Sequence, residues 1–111
     1  MIFRILVKGR VQGVNFRSMT RKFCLSNLIK GSVWNLDNGD VEILAQCSEE
    51  EKDTLVLWLK SNPGFSRVWG VDVKKIKSQR DFEGFEIIRK GNFLIDRGKS
   101  AKNLVKRFGS R

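Results

Sequence analysis

The segment Asp37-Asn38-Gly39 constrains the fold of this chain more than any other feature. Asn-Gly tolerates the positive φ of a tight hairpin turn. It lies between a strand-like run over 32–36 and an alternating run over 41–46. In the second run Val41, Ile43 and Ala45 share one face, and Glu42, Leu44 and Gln46 the other. A lone hairpin is marginal in water, so the flanks must extend the sheet and cover its apolar face.

Both flanks supply a helix and a strand. On the N-terminal side, residues 2–8 alternate, with Phe3, Ile5 and Val7 opposite Arg4, Leu6 and Lys8. Residues 9–15 hold two glycines and few helix signals, and read as a loop. Residues 16–28 carry helical spacing: Phe16, Met19 and Phe23 form a stripe, broken by Asn27, with Thr20, Cys24 and Leu28 beside it. Asn15 stands where an N-cap is expected. On the C-terminal side, Ser48-Glu49-Glu50-Glu51 is a capping box with acids at the positive end of a helix. That helix is expected to reach Lys60, to bury Leu55, Trp58 and Leu59, and to stop at Asn62-Pro63-Gly64. A long, partly exposed strand over 68–78 follows, its Lys74, Lys75 and Lys77 guarding an edge. Residues 85–89 form a last short strand. Trp34, Trp58 and Trp69 are expected to be core or half-buried residues.

The order β-α-β-β-α-β predicts an α+β, ferredoxin-like sandwich: an antiparallel sheet with both helices on one face, and room for a short fifth strand. At 111 residues the chain suits one domain. That domain spans 1–90. Residues 91–111 differ, with six Lys/Arg against the single acid Asp96. Ala101, Leu104, Val105 and Phe108 fall at helical spacing there, so this basic extension reads as a short amphipathic helix on a flexible lead.

Charge and absences narrow the chemistry. There are 22 Lys+Arg against 12 Asp+Glu, a net +10. Such a balance points to an anionic partner: nucleic acid, a membrane surface or a small anion. The extension carries half of it. No histidine is present, which excludes histidine bases, histidine metal sites and Ser-His-Asp triads. Cys24 and Cys47 are too few for a disulfide framework or a four-thiolate zinc site. No run approaches a membrane span, and the N-terminal apolar run is too short for a signal peptide, so a cytoplasmic monomer is the expectation.

The loop after the first strand is the candidate site. A glycine-rich strand-to-helix loop is able to turn several N–H groups inward as an anion nest, aided by the helix N-terminus. Arg17, one residue into the helix, is placed to swing over that nest, and a guanidinium clamps a phosphate bidentately. Glycine spacing alone favours an ordinary β-α turn over a phosphate cradle. The residues themselves are more specific. Val7-Lys8-Gly9-Arg10-Val11-Gln12-Gly13-Val14-Asn15-Phe16-Arg17 resembles the acylphosphatase signature V-x-G-x-V-Q-G-V-x-F-R. A second stretch, Gly31-Ser32-Val33-Trp34-Asn35-Leu36-Asp37-Asn38-Gly39-Asp40-Val41, is similar to the family's second motif, and Phe85-Glu86-Ile87 to its closing strand.

The resemblance covers about residues 2–90 and implies hydrolysis of acyl phosphates to carboxylate and phosphate, without metal or cofactor. It implies that the backbone of Arg10, Val11, Gln12, Gly13, Val14, Asn15 and Phe16 cradles the phosphoryl group. Arg17 would bind its oxygens, and Asn35 would orient the attacking water. Gln12 reads as a brace for the loop. Ser32, Trp34 and Cys47 depart from the family pattern, which bears on substrate preference and stability more than on chemistry. A rival reading is a small basic RNA-binding module, since RNA-recognition motifs share the topology. The run 41–46 lacks the exposed aromatics such readers stack on bases, so nucleic-acid contact is expected only non-specifically, through the extension.

Overall fold

The computed structural model describes residues 1–89. The predicted extension 91–111 lies outside the described residues. The elements are β1 (Ile2–Arg10), α1 (Phe16–Ser26), β2 (Lys30–Asn35), β3 (Val41–Gln46), α2 (Glu49–Lys60), β4 (Arg67–Ile76) and β5 (Phe85–Ile87). They form one sheet in the order β4-β1-β3-β2-β5, the ferredoxin-like α+β arrangement with a fifth strand added at one edge.

Alternation decides what is buried. Phe3, Ile5 and Val7 of β1, Val33 of β2 and Val41, Ile43 and Ala45 of β3 point to one face. There they meet Phe16 and Cys24 of α1 and Leu55 and Leu59 of α2 in a single core. Both helices therefore cover the same face, as the two apolar stripes require. Phe23 and Trp58 stack at 4.5 Å between ring centres and join the helices to each other. The other face holds a smaller cluster of Ile2, Leu44 and Phe82.

Four expectations are corrected. The sheet is mixed rather than wholly antiparallel, because β5 runs parallel to β2. The reason is the path of the chain. Ile76, at the end of β4, pairs with Ile2, and Ile2 also pairs with Gln46, which faces Lys30 at the start of β2. Residues 77–84 cross that end of the sheet, so β5 departs in the direction of β2. Trp69 is 78% exposed rather than buried. Register shifts between Lys8 and Gly9, which pair with Gly70 and Val68, so Trp69 sits in a bulge while Val68 and Val71 pack on the core. Leu28 lies beyond the end of α1, in left-handed backbone and 84% exposed, because the helix stops at Ser26. Asn15 precedes α1 but makes no side-chain cap: its backbone is left-handed, φ 63°, which turns it into a loop residue.

The capping box forms as expected. Ser48 Oγ accepts from the Glu51 N–H at 3.1 Å, and Glu51 Oε1 accepts from the Ser48 N–H at 2.8 Å. Ser48→Ala is expected to lower stability by about 1 kcal/mol, read as a shift in denaturant midpoint at unchanged slope. Lysines 74 and 75 are exposed on β4, an edge strand, where they oppose pairing with another chain. No helix among the described residues is long and apolar enough to cross a membrane.

Candidate active site

Three features of the backbone shape the loop between β1 and α1. Gly9 has φ +137°, and a Cβ there would stand 2.1 Å from the carbonyl oxygen of Arg67. Only glycine lets β4 approach this closely, which fixes where the loop leaves the sheet. Gly13 and Asn15 then both adopt positive φ, at 76° and 63°. Alternating hands of this kind bend successive N–H groups toward a common concavity. Among the described residues, the N–H groups of Gln12, Gly13, Val14 and Asn15 donate to no backbone acceptor.

The side chains of the loop divide into anchors and a brace. Val11 and Phe16 are buried in the core, and Val14 packs against it. They hold the two ends of the loop by burial, so their contribution to any ligand is through the backbone. Gln12 reaches across to the β2–β3 hairpin, where its Nε2 donates to the carbonyls of Leu36 and Asp40, both at 2.9 Å. The brace expected of Gln12 is thus present, and it ties the loop to the end of β2. Arg10 is exposed at the end of β1, paired in register with Arg67, and does not line the cleft described next.

An open cleft of about 420 Å³ lies at this end of the sheet. It is lined by Gln12, Arg17, Asn35, Leu36, Asp37, Ile88 and Arg89. Arg17, from the first turn of α1, is half-buried. Burial, and then the charge of Arg89, hold its pKa below the ordinary arginine value. Asn35 ends β2. Alternation places it on the same face as Val33, the face the helices cover, where it looks toward the loop. Its Oδ1 is buried and accepts no hydrogen bond among the described residues. Buried acceptors are nearly always paired in proteins, so an orphan of this kind calls for a partner beyond the described residues. A larger depression, about 700 Å³, lies at the opposite end of the sheet around Ile2, Gln46 and Lys75. It has no comparable convergence of a turned backbone, an arginine and an unpaired amide.

The sequence therefore placed Gln12, Arg17 and Asn35 in one site, and they share one cleft. Arg89 it missed. In the sequence it stands at the end of a short strand with no sign of a site, and only the direction of β5 brings it here. The family departures lie away from the cleft. Ser32 and Trp34 point to the face opposite the helices, where the Trp34 indole N–H and Arg4 both donate to Glu42. Cys47 packs against the core, and burial, with the nearby Glu51 carboxylate adding to it, pushes its thiol up to about 11.

The family model described as acylphosphatase matches residues 3–87. The acylphosphatase of Photobacterium profundum is 44% identical across 81 residues, covering 73% of this chain and 89% of that protein. That of Geotalea uraniireducens is 37% identical over 83 residues, covering 75% and 91%. Among solved structures, acylphosphatase from Bacillus subtilis superposes with a TM-score of 0.75 at 36% identity, covering 80% of this chain and all of that one. An acylphosphatase from Coxiella burnetii gives 0.73 at 32% identity, covering 78% and 90%. With the signature loop, the second motif and the fold all matched over one continuous stretch, this chain belongs to the acylphosphatase family.

Proposed function

We propose that this protein hydrolyses acyl phosphates by holding the phosphoryl group on the backbone of residues 10–16 and Arg17, while Asn35 orients the attacking water. The observation that carries this reading is the convergence of the turned loop, the Arg17 guanidinium and the unpaired Asn35 amide oxygen on one cleft. Phosphoryl transfer demands positioning and electrostatic stabilisation more than covalent participation. The loop amides and Arg17 supply fixed positive potential where equatorial oxygens gather charge. Asn35 Oδ1 accepts a hydrogen bond from the water and aims its lone pair at phosphorus.

In the step itself, the water oxygen forms a bond to phosphorus. The bond from phosphorus to the bridging oxygen breaks, and its electron pair leaves with the acyl carboxylate. One water proton passes to a phosphoryl oxygen of the substrate. The dianionic acyl phosphate thus yields a carboxylate and monoanionic phosphate, and charge balances. Because the carboxylate is a stable leaving group and the substrate accepts the proton, a histidine is not required. The substrate is a small molecule, and the protein acts as a monomer in the cytoplasm.

The test is phosphate release from benzoyl phosphate by the full chain in excess EDTA. Turnover above the spontaneous rate, competitively inhibited by inorganic phosphate, is the expected result. Absence of turnover would overturn the hydrolytic reading, and loss of it on adding EDTA would overturn metal independence.

A further inference from the structure

The parallel pairing of β5 has a chemical consequence. Gly31 stands opposite Phe85 and Val33 opposite Ile87, so the two strands advance in step. The Ile88 N–H donates to the Val33 carbonyl at 2.9 Å and holds the chain just past the strand. Arg89 thereby leaves the sheet at the level where Asn35 ends β2, and both line the cleft with Arg17. Arg21, one turn along α1 from Arg17, donates from Nε to the Phe85 carbonyl at 2.9 Å. The elements that carry the two arginines are therefore tied directly to each other.

The charges facing this cleft are Arg17 from α1, Asp37 from the β2–β3 turn and Arg89 from the end of β5; Gln12 and Asn35 are neutral. Neither Arg17 nor Arg89 has a carboxylate partner among the described residues. Two guanidiniums lining one cleft repel each other, less at the exposed Arg89, which solvent screens, than at the half-buried Arg17. The repulsion is what an anion between them relieves, and a doubly charged anion relieves it for both. Arginine also grips phosphate oxygens bidentately, with charge-assisted hydrogen bonds about twice as strong as neutral ones.

We propose that Arg89 is a second anion-binding residue of this cleft, which grips the outer oxygens of a bound phosphoryl group across from Arg17 and makes the site select the dianion over the monoanion. This rests on the cradle reading above. Its effect on Arg17 is consistent, since the Arg89 charge adds to burial in lowering the Arg17 pKa. The arrangement matches the substrate class: an acyl phosphate carries its two charges on the phosphoryl group. Arg89 is exposed, so it serves as the outer jaw and Arg17 as the inner one.

Inorganic phosphate titrated calorimetrically into the full chain tests this, at one pH below and one above the second ionisation of phosphate. Arg89→Gln is expected to weaken binding of the dianion about tenfold, the worth of a charged hydrogen bond, and of the monoanion far less. Arg89→Lys should recover part of the loss, since it restores charge without the fork. In turnover the loss should appear mainly in KM. Dianion affinity of Arg89→Gln within twofold of the parent would overturn the proposal. So would an equal loss for both ionic forms, which marks a structural role. Binding needs no turnover, so the two readings fail separately. Turnover without Arg89 dependence refutes only the second jaw, and Arg89-dependent binding without turnover refutes only hydrolysis.

Discussion

Arg17→Ala is expected to remove turnover and phosphate inhibition together, with kcat/KM falling about 10³-fold or more, roughly 4 kcal/mol of transition-state stabilisation. Two properties of Arg17 set that size. It is half-buried, so its charge acts through a medium that screens less than water. It also stands in the first turn of α1, against a loop whose N–H groups at residues 12–15 donate to no backbone acceptor among the described residues. In the proposed cradle the backbone alone would hold a phosphate only by partial charges, and the guanidinium would supply the full one. Arg17→Lys should recover little, because a point charge on a flexible stem does not reproduce two parallel hydrogen bonds. The checks are steady-state kinetics with benzoyl phosphate and direct phosphate titration. Retention of both activities by Arg17→Ala would refute the cradle. Stability should move much less than activity, since the guanidinium makes no ion pair among the described residues.

Asn35→Ala should separate catalysis from binding. We expect kcat to fall by about 10²-fold, while phosphate affinity stays within about threefold, since a misaimed nucleophile costs rate rather than ground-state contact. Stability gives an independent signature. Asn35 Oδ1 is buried without a partner among the described residues, and an unpaired buried polar group costs about 1–3 kcal/mol. Its removal is therefore expected to hold or raise the melting temperature even as turnover collapses. A side chain kept for folding would show the reverse. If Asn35→Ala instead weakens phosphate binding and spares kcat, Asn35 is a phosphate ligand and the water-orienting role is wrong.

Much of this was legible along the chain, and particular residues show why. Phe3, Ile5 and Val7 repeat every second residue and Phe16, Thr20 and Cys24 every fourth, so strand and helix declare themselves locally. Ser48 and Glu51 mark the start of α2 because both halves of a capping box lie within four residues. The loop signature likewise sits in one short stretch, which is why Arg17 and Gln12 were found. Asn35 was harder, since Asn before a turn usually serves the turn. Its unpaired buried oxygen became visible only once the surroundings were in place. The side of Trp69 was not legible, because the bulge opposite Lys8 and Gly9 arises from pairing with a distant strand.

Period-two and period-four patterning, turn chemistry and a contiguous motif thus determined the element order, the core face and the loop that carries the family signature, because each depends on neighbours within a few residues. The tertiary structure alone decided the parallel course of β5, and with it the meeting of Arg89 with Arg17 and Asn35. That choice depends on which end of the sheet residues 77–84 cross, a geometry set by pairings between strands far apart in the chain.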